Sequence, residues 1–209
     1  MSTWLLLSAT VLWVGAVAMM IVKTPHTMAV MYRMQAVAEA GVASLLAIFG
    51  HRPAYWSVVA LIIVLKIFVI PGVMNRGLKP MRQAYGTHGP FGMSALLLLA
   101  LLLSAGGIVV GHLGLPYPLP MGLVVAAMLV TFVHLSGRYE VWSLLWGILS
   151  LETVMDVGVL TWGTSIPAIG EVGIDMTGLA LALVLGYVAA EVWRVKHGLD
   201  VRDREELIG

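Results

Sequence analysis

The stretch that decides the fold is residues 54–74, AYWSVVALIIVLKIFVIPGVM, an apolar run with a single charged residue, Lys66, near its middle. About 20 apolar residues cross a hydrocarbon core about 30 Å thick as one helix, so this run reads as a membrane span. Working outward, runs of the same kind cover residues 4–22, 28–49, 91–111, 119–136, 139–162 and 174–193, which predicts about seven spans in all. The connectors hold turn residues: Thr24 and Pro25, residues 50–53, the longer segment 75–90, residues 115–118 and residues 163–170. None is long enough for a soluble domain. The predicted fold is an all-α integral membrane protein, one polytopic domain over residues 1–209 with a short tail at 194–209.

Composition agrees with this reading. Of 209 residues, 60% are hydrophobic and 11% charged, with a mean hydropathy of +0.96, where a soluble domain carries about 25% charged residues. A net charge of +1 leaves no basic footprint, so nucleic acid is not an expected partner. With no cysteine the chain forms no disulfide and holds neither a Cys-ligated zinc nor an iron–sulfur cluster. No phosphate-cradling glycine loop, HExxH pair or nucleophile elbow is present. These absences speak against a self-contained enzyme, and no cofactor is expected in this chain.

The first run lacks a basic segment before it and a small-residue cleavage site after it, so it reads as a retained span. Counting Lys and Arg by loop sets the orientation. Lys23, Arg33, Arg76, Lys79, Arg82, Arg138, Arg194, Lys196, Arg202 and Arg204 fall on one side and Arg52 on the other. The N-terminus is therefore expected outside and the C-terminus in the cytoplasm.

Ionisable groups inside a membrane are expensive, at least about 2.5–3.5 kcal/mol each at the bilayer centre, and are functional candidates by default. Glu39 lies in the second predicted span, Lys66 in the third, and Glu152 and Asp156 in the sixth. The i, i+4 spacing of the last two sets both carboxyls on one helix face. Two such groups in a dry site do not both ionise easily, which suits a proton relay. Gln35 shares a face with Glu39, and Pro71 frees a carbonyl and bends the span that carries Lys66. Glu39 and Glu152 both stand as partners for the lysine. Glu171 and Asp175, one turn apart, fall at the outer end of the last span, where solvation accounts for them. The bland alternative is that buried charges only fix helix packing and that Asp156 is hydrated near the interface.

His134 lies near the cytoplasmic end of the fifth span, where it would hand protons to the bulk or serve as a hydrogen-bonded structural group. His26, His51, His88, His112 and His197 have no paired spacing for a metal. Trp4, Tyr55, Trp56, Tyr117, Trp162 and Trp193 at span ends read as an interfacial belt. The 13 methionines read as packing. Gly106, Gly107 and Gly111 favour close helix contact.

The ending at residues 193–201, WRVKHGLDV, resembles that of the hydrogenase-4 component E family of membrane subunits. More distantly it is similar to the K-type subunit of respiratory complex I and its counterpart in multisubunit cation/proton antiporters. Residues 147–152, GILSLE, resemble the family helix with a membrane-embedded glutamate, residues 66–71, KIFVIP, resemble its Lys and Pro, and Gln35 also has a counterpart. The resemblance implies a non-catalytic membrane-arm subunit of an energy-converting, complex-I-like assembly such as a group 4 nickel–iron hydrogenase or formate hydrogenlyase. In such an assembly, antiporter-like membrane subunits and a peripheral metal-bearing redox arm are the partners, in a prokaryotic cytoplasmic membrane. By position Glu152 stands for the glutamate of the ion path and Lys66 for the family lysine. The family's second carboxylate of the last span falls near Thr177, where this chain has Asp175 two residues earlier. The ion-path candidates are thus Glu152, Lys66, Glu39, Asp156, Asp175 and His134. A structural scaffold subunit and an independent secondary transporter stand as alternatives, the latter supported only by the bend at Pro71.

Overall fold

The computed structural model describes residues 2–77, 92–115, 117–138, 140–162 and 168–196, the side chains at 168, 169, 171 and 192–196 excepted. Lys79, Arg82, His88, the tail from His197 onward, and the side chains of Glu171, Trp193, Arg194 and Lys196 therefore lie outside the described residues. The elements are α1 (Ser2–Ile21), α2 (Pro25–Phe49), α3 (Tyr55–Ile62), a π-helical segment (Ile63–Val69), α4 (Ile70–Gly77), α5 (Met93–Gly111), α6 (Pro118–Ser136), α7 (Val141–Trp162) and α8 (Ala168–Lys196). There is no strand among the described residues.

Among the described residues, six stretches are long and apolar enough to cross a membrane: Ser2–Ile21, Tyr55–Gly77, Met93–Gly111, Pro118–Ser136, Val141–Trp162 and Val172–Glu191. These are the helices of an all-α, multi-pass membrane protein. The helix expected as the second span, α2, is long enough at 25 residues but less apolar, because it carries His26, Arg33, Gln35 and Glu39. Its start follows from local chemistry. Thr24 caps it by accepting from the Thr27 N–H at 3.4 Å, and Pro25 enters the first turn without leaving an N–H unbonded.

The span that carries Lys66 is not one regular helix. Its middle widens into the π segment, and α4 resumes with Pro71 near its start. Pro71 has no N–H, so the Ile67 carbonyl loses the donor that an α-helix would supply four residues on. Arg33 Nε donates to Ile67 O at 3.0 Å instead. Arg33, which falls inside the predicted second span, is thus a half-buried member of α2 with an internal partner.

A second arginine closes one end of the bundle. Arg138, in the turn between α6 and α7, donates from Nη2 to Met20 O and Val22 O, both at 2.7 Å, and so caps the end of α1. The end of α1, the start of α2, the end of α6 and the start of α7 therefore lie together. Trp4, Trp56 and Trp162 are exposed at the ends of helices away from that turn, where indole rings suit a membrane interface. Tyr55, expected in the same belt, is buried.

Two apolar clusters fill the bundle. One includes Met28, Tyr32, Ile70, Met74, Trp142, Trp146 and Leu149 near the α6–α7 turn, and the other includes Val42, Val58, Ile62, Val124, Val157 and Leu160. Where the two clusters meet, α2, the Tyr55–Gly77 helix and α7 carry polar residues: Gln35 and Glu39, Lys66, and Ser150, Glu152, Thr153 and Asp156. Ser150 Oγ donates to Gln35 Oε1 at 2.8 Å within this layer.

The outermost helix, α5, packs chiefly on α6 and does so through glycine. A Cβ at Gly107 would lie 2.7 Å from Ala126 Cα, and one at Gly111 would lie 2.5 Å from Gly122 Cα. Gly106, expected in the same contact, has open space around it. Gly107→Leu should therefore separate α5 from α6 and lower the melting temperature in detergent, as overpacking costs about 1–3 kcal/mol. Gly106→Leu should melt with the natural protein.

Candidate functional site

Four helical elements deliver ionisable side chains to one point in the polar layer: Glu39 from α2, Lys66 from the π segment, Glu152 and Asp156 from α7, and Asp175 from α8. Lys66 is at the centre with its side chain fully buried. Its Nζ donates to Glu39 at 2.9 Å (Oε1) and 3.1 Å (Oε2) and to Asp156 Oδ2 at 2.5 Å, and Asp175 Oδ1 lies 3.1 Å away. An ammonium has three N–H groups, and these three carboxyls take them. Glu152 Oε1 stays at 3.8 Å, inside ion-pair range but without a hydrogen bond to the lysine.

The placement corrects several expectations. Glu39, one of the two partners expected for Lys66, bonds it, and Glu152, the other, lies within ion-pair range, but Asp156 and Asp175 share the lysine as well. Asp156 is buried, not hydrated at an interface. Asp175, expected at a solvated outer end, is also buried because α8 turns it onto the lysine. Thr177 is exposed and donates to Gly173 O at 2.9 Å, so Asp175 is the residue of that turn that reaches the cluster. His134 is not among the groups at Lys66. Its Nε2 lies 3.2 Å from Ser143 O and 3.3 Å from Ser143 Oγ, linking α6 to α7 near the turn.

Glu152 differs from the other three carboxyls. Its side chain is 16% exposed, against 2–5% for the rest. Both of its oxygens lack a hydrogen-bond partner among the described residues. It lies against the backbone of α8 at Gly178, where a Cβ would overlap its carboxyl. Gly178 thus leaves the space that Glu152 occupies, and sequence reading gave this glycine no role. Tyr32 was missed as well, though it shares the α2 face of Gln35 and Glu39 at helical spacing.

Comparison with models of known families, with curated proteins and with solved structures finds no match. The chemistry of the site rests on its own geometry. Carboxyl oxygens of Glu39, Asp156 and Asp175 lie within 4.8 Å of one another, close enough to hold a metal ion, and the Lys66 ammonium takes the cation's place among them. One ammonium does not balance four carboxylates. In an apolar interior, like charges repel strongly, so the set calls for more positive charge, as protons on the carboxyls or as another cation. Groups that hold and exchange such charge without leaving the membrane interior are what an ion path requires.

Removing the shared cation strands the carboxyls. Lys66→Met should destabilise the protein by about 3–5 kcal/mol, the usual effect of deleting one partner of a buried ion pair, read as a lower melting temperature in detergent. Asp156→Asn should cost less, because the lysine keeps Glu39 and Asp175.

Proposed function

We propose that this chain is a non-catalytic ion-coupling subunit of a larger membrane assembly. Its role is to contribute part of the proton or sodium path that ties redox chemistry to ion movement. The observation that carries the reading is the single buried lysine shared among carboxyls from three other helical elements, with a fourth carboxyl, Glu152, left unbonded beside it. A cluster that only fixed packing would satisfy every oxygen. This one keeps an excess of acid groups and an unengaged member packed against α8.

The resemblance to the hydrogenase-4 component E family gives the reading its setting: a complex-I-like assembly of the group 4 hydrogenase or formate hydrogenlyase type. Antiporter-like subunits would lie beside this chain in a prokaryotic cytoplasmic membrane. There α2 makes the seventh span, with the N-terminus outside and the α6–α7 turn facing the cytoplasm. A scaffold role has one observation in its favour, the saturation of Lys66 by three carboxyls, which would also pin the helices together.

Two experiments decide. Tagged protein drawn from native membranes in mild detergent should bring antiporter-like subunits and a nickel- and iron-bearing redox arm with it, and a lone homo-oligomer would overturn the assembly. In vesicles that hold the assembly, Glu152→Gln should leave redox turnover and subunit composition intact while ion movement falls to background. Full coupling in that variant supports the scaffold instead.

A further inference from the structure

Two arginines stand at opposite ends of the bundle, and their charges are met differently. At the α6–α7 turn, Arg138 donates from Nη2 to Met20 O and Val22 O. At the other end Arg52, in the turn between α2 and α3, is half-buried, yet its guanidinium has no hydrogen-bond or ion-pair partner among the described residues. No Asp or Glu with a described side chain lies at that end, and no other Lys or Arg does. A guanidinium keeps its proton at any ordinary pH, so drawing part of it out of water calls for an anion.

Arg52 borders a cavity of about 180 Å³. One face of α2 forms a wall of it through Val42, Leu46, Phe49 and Gly50, and Leu5 of α1 and Leu160 of α7 close it. Leu5, Val42 and Leu160 are buried and Phe49 is exposed, so the space runs from the end of α2 into the bundle. From Gly50 to Val42 that is about 12 Å along the helix, within the depth of one leaflet of a hydrocarbon core about 30 Å thick. Thr161, also on the wall, has its hydroxyl committed to Val157 O at 2.7 Å, which leaves the inner part little to offer water. Apolar cavities of about this size stay dry and accept apolar guests. A helix of a partner, about 10 Å across, is too wide for it.

The backbone around this cavity leaves its ordinary range. Among the described residues, His51 (φ 49°) and Tyr117 (φ 53°) are the non-glycine residues with positive φ. The first immediately precedes Arg52, and the second lines the cavity. Left-handed backbone is uncommon away from glycine, and at a bulky residue such as tyrosine it is an outlier of the kind that gathers at functional sites. Tyr117 is also the N-cap of α6, and no side chain caps that helix. The partial positive charge of its first turn therefore adds to that of Arg52.

We propose that this cavity is a binding site for one anionic phospholipid, with the phosphate on Arg52 and the start of an acyl chain against Val42, Leu46 and Leu160. Positive charge without a counter-ion selects the headgroup, and the dry aliphatic wall selects the chain. The bound lipid does at this end what the bonds of Arg138 do at the other: it joins the ends of α1, α2, α6 and α7.

Native mass spectrometry of the full chain, delipidated in detergent, tests this with dioleoylphosphatidylglycerol and dioleoylphosphatidylethanolamine, which share their acyl chains and differ in net charge. The phosphatidylglycerol should bind about tenfold more tightly, the usual worth of a hydrogen bond to a charged group. Arg52→Gln should bring the two lipids to within about twofold of each other by removing that contact. Leu46→Trp, which fills the cavity and keeps the arginine, should weaken phosphatidylglycerol binding by about the same tenfold factor. Phosphatidylglycerol with a photoreactive diazirine on one acyl chain should crosslink to residues 42–50 or 160–161. Equal binding of the two lipids, a preference that survives Arg52→Gln, undiminished binding to Leu46→Trp, or crosslinks only elsewhere would overturn the proposal. Oleate that displaces phosphatidylglycerol at equal concentration would overturn it in favour of a fatty acid. The melting temperature without lipid identifies variants that fold, and if Arg52→Gln does not, the lipid preference of the natural chain, Leu46→Trp and the crosslink decide by the same criteria.

Discussion

An ammonium group in an apolar interior is stable only when its charge is met and each of its N–H groups has an acceptor. Lys66 imposes that condition on this bundle, and several otherwise odd features follow. Acid groups from three helices converge on its three hydrogens. The helix that carries it departs from regular α geometry where the lysine is placed, and a wide turn of this kind recurs at functional sites. Arg33 takes the carbonyl that Pro71 leaves without a donor, so the irregular segment buries no unmet acceptor there. The polar layer is not an interruption of the core; it is the level about which the two apolar clusters are arranged.

The geometry also ranks the acids. Glu39, Asp156 and Asp175 are spent on holding the lysine, while Glu152 is near enough to feel its charge and free of its hydrogen bonds. A fixed set and a loose member make a different object from four equivalent carboxyls. The fixed set defines a place of high negative potential, and the loose member communicates with it. The absence of a side chain at Gly178 sustains the distinction by giving Glu152 a position against the backbone of α8.

Much of the fold was legible because apolar length alone declares a membrane helix: six of the predicted spans overlap stretches apolar enough to cross a membrane, and the second overlaps the less apolar α2. Lys66, Glu39, Glu152 and Asp156 were legible for the complementary reason, that charge stands out against such a background. Asp175 was identified, but its depth was misjudged: distance from a span end says nothing of which way a helix face turns. The bond from Arg33 to Ile67 O was not foreseen, since a count of basic residues takes no account of a neighbour's missing N–H. Gly178 stayed silent as an ordinary glycine, because its significance lies in the room that it leaves for Glu152 and that is not written in residue type.

The two bonds from Arg138 to the end of α1 join residues separated by 118 and 116 positions in the chain. Synthesis proceeds from the N-terminus, so the first two helices are made long before the guanidinium that completes their corner exists. Until then, the carbonyls of Met20 and Val22 have to be served by water at the membrane surface. Closing so long a loop adds only slowly growing entropy to the task, but it fixes an order of events. The hairpin of α1 and α2 is made before the arginine that fastens its end.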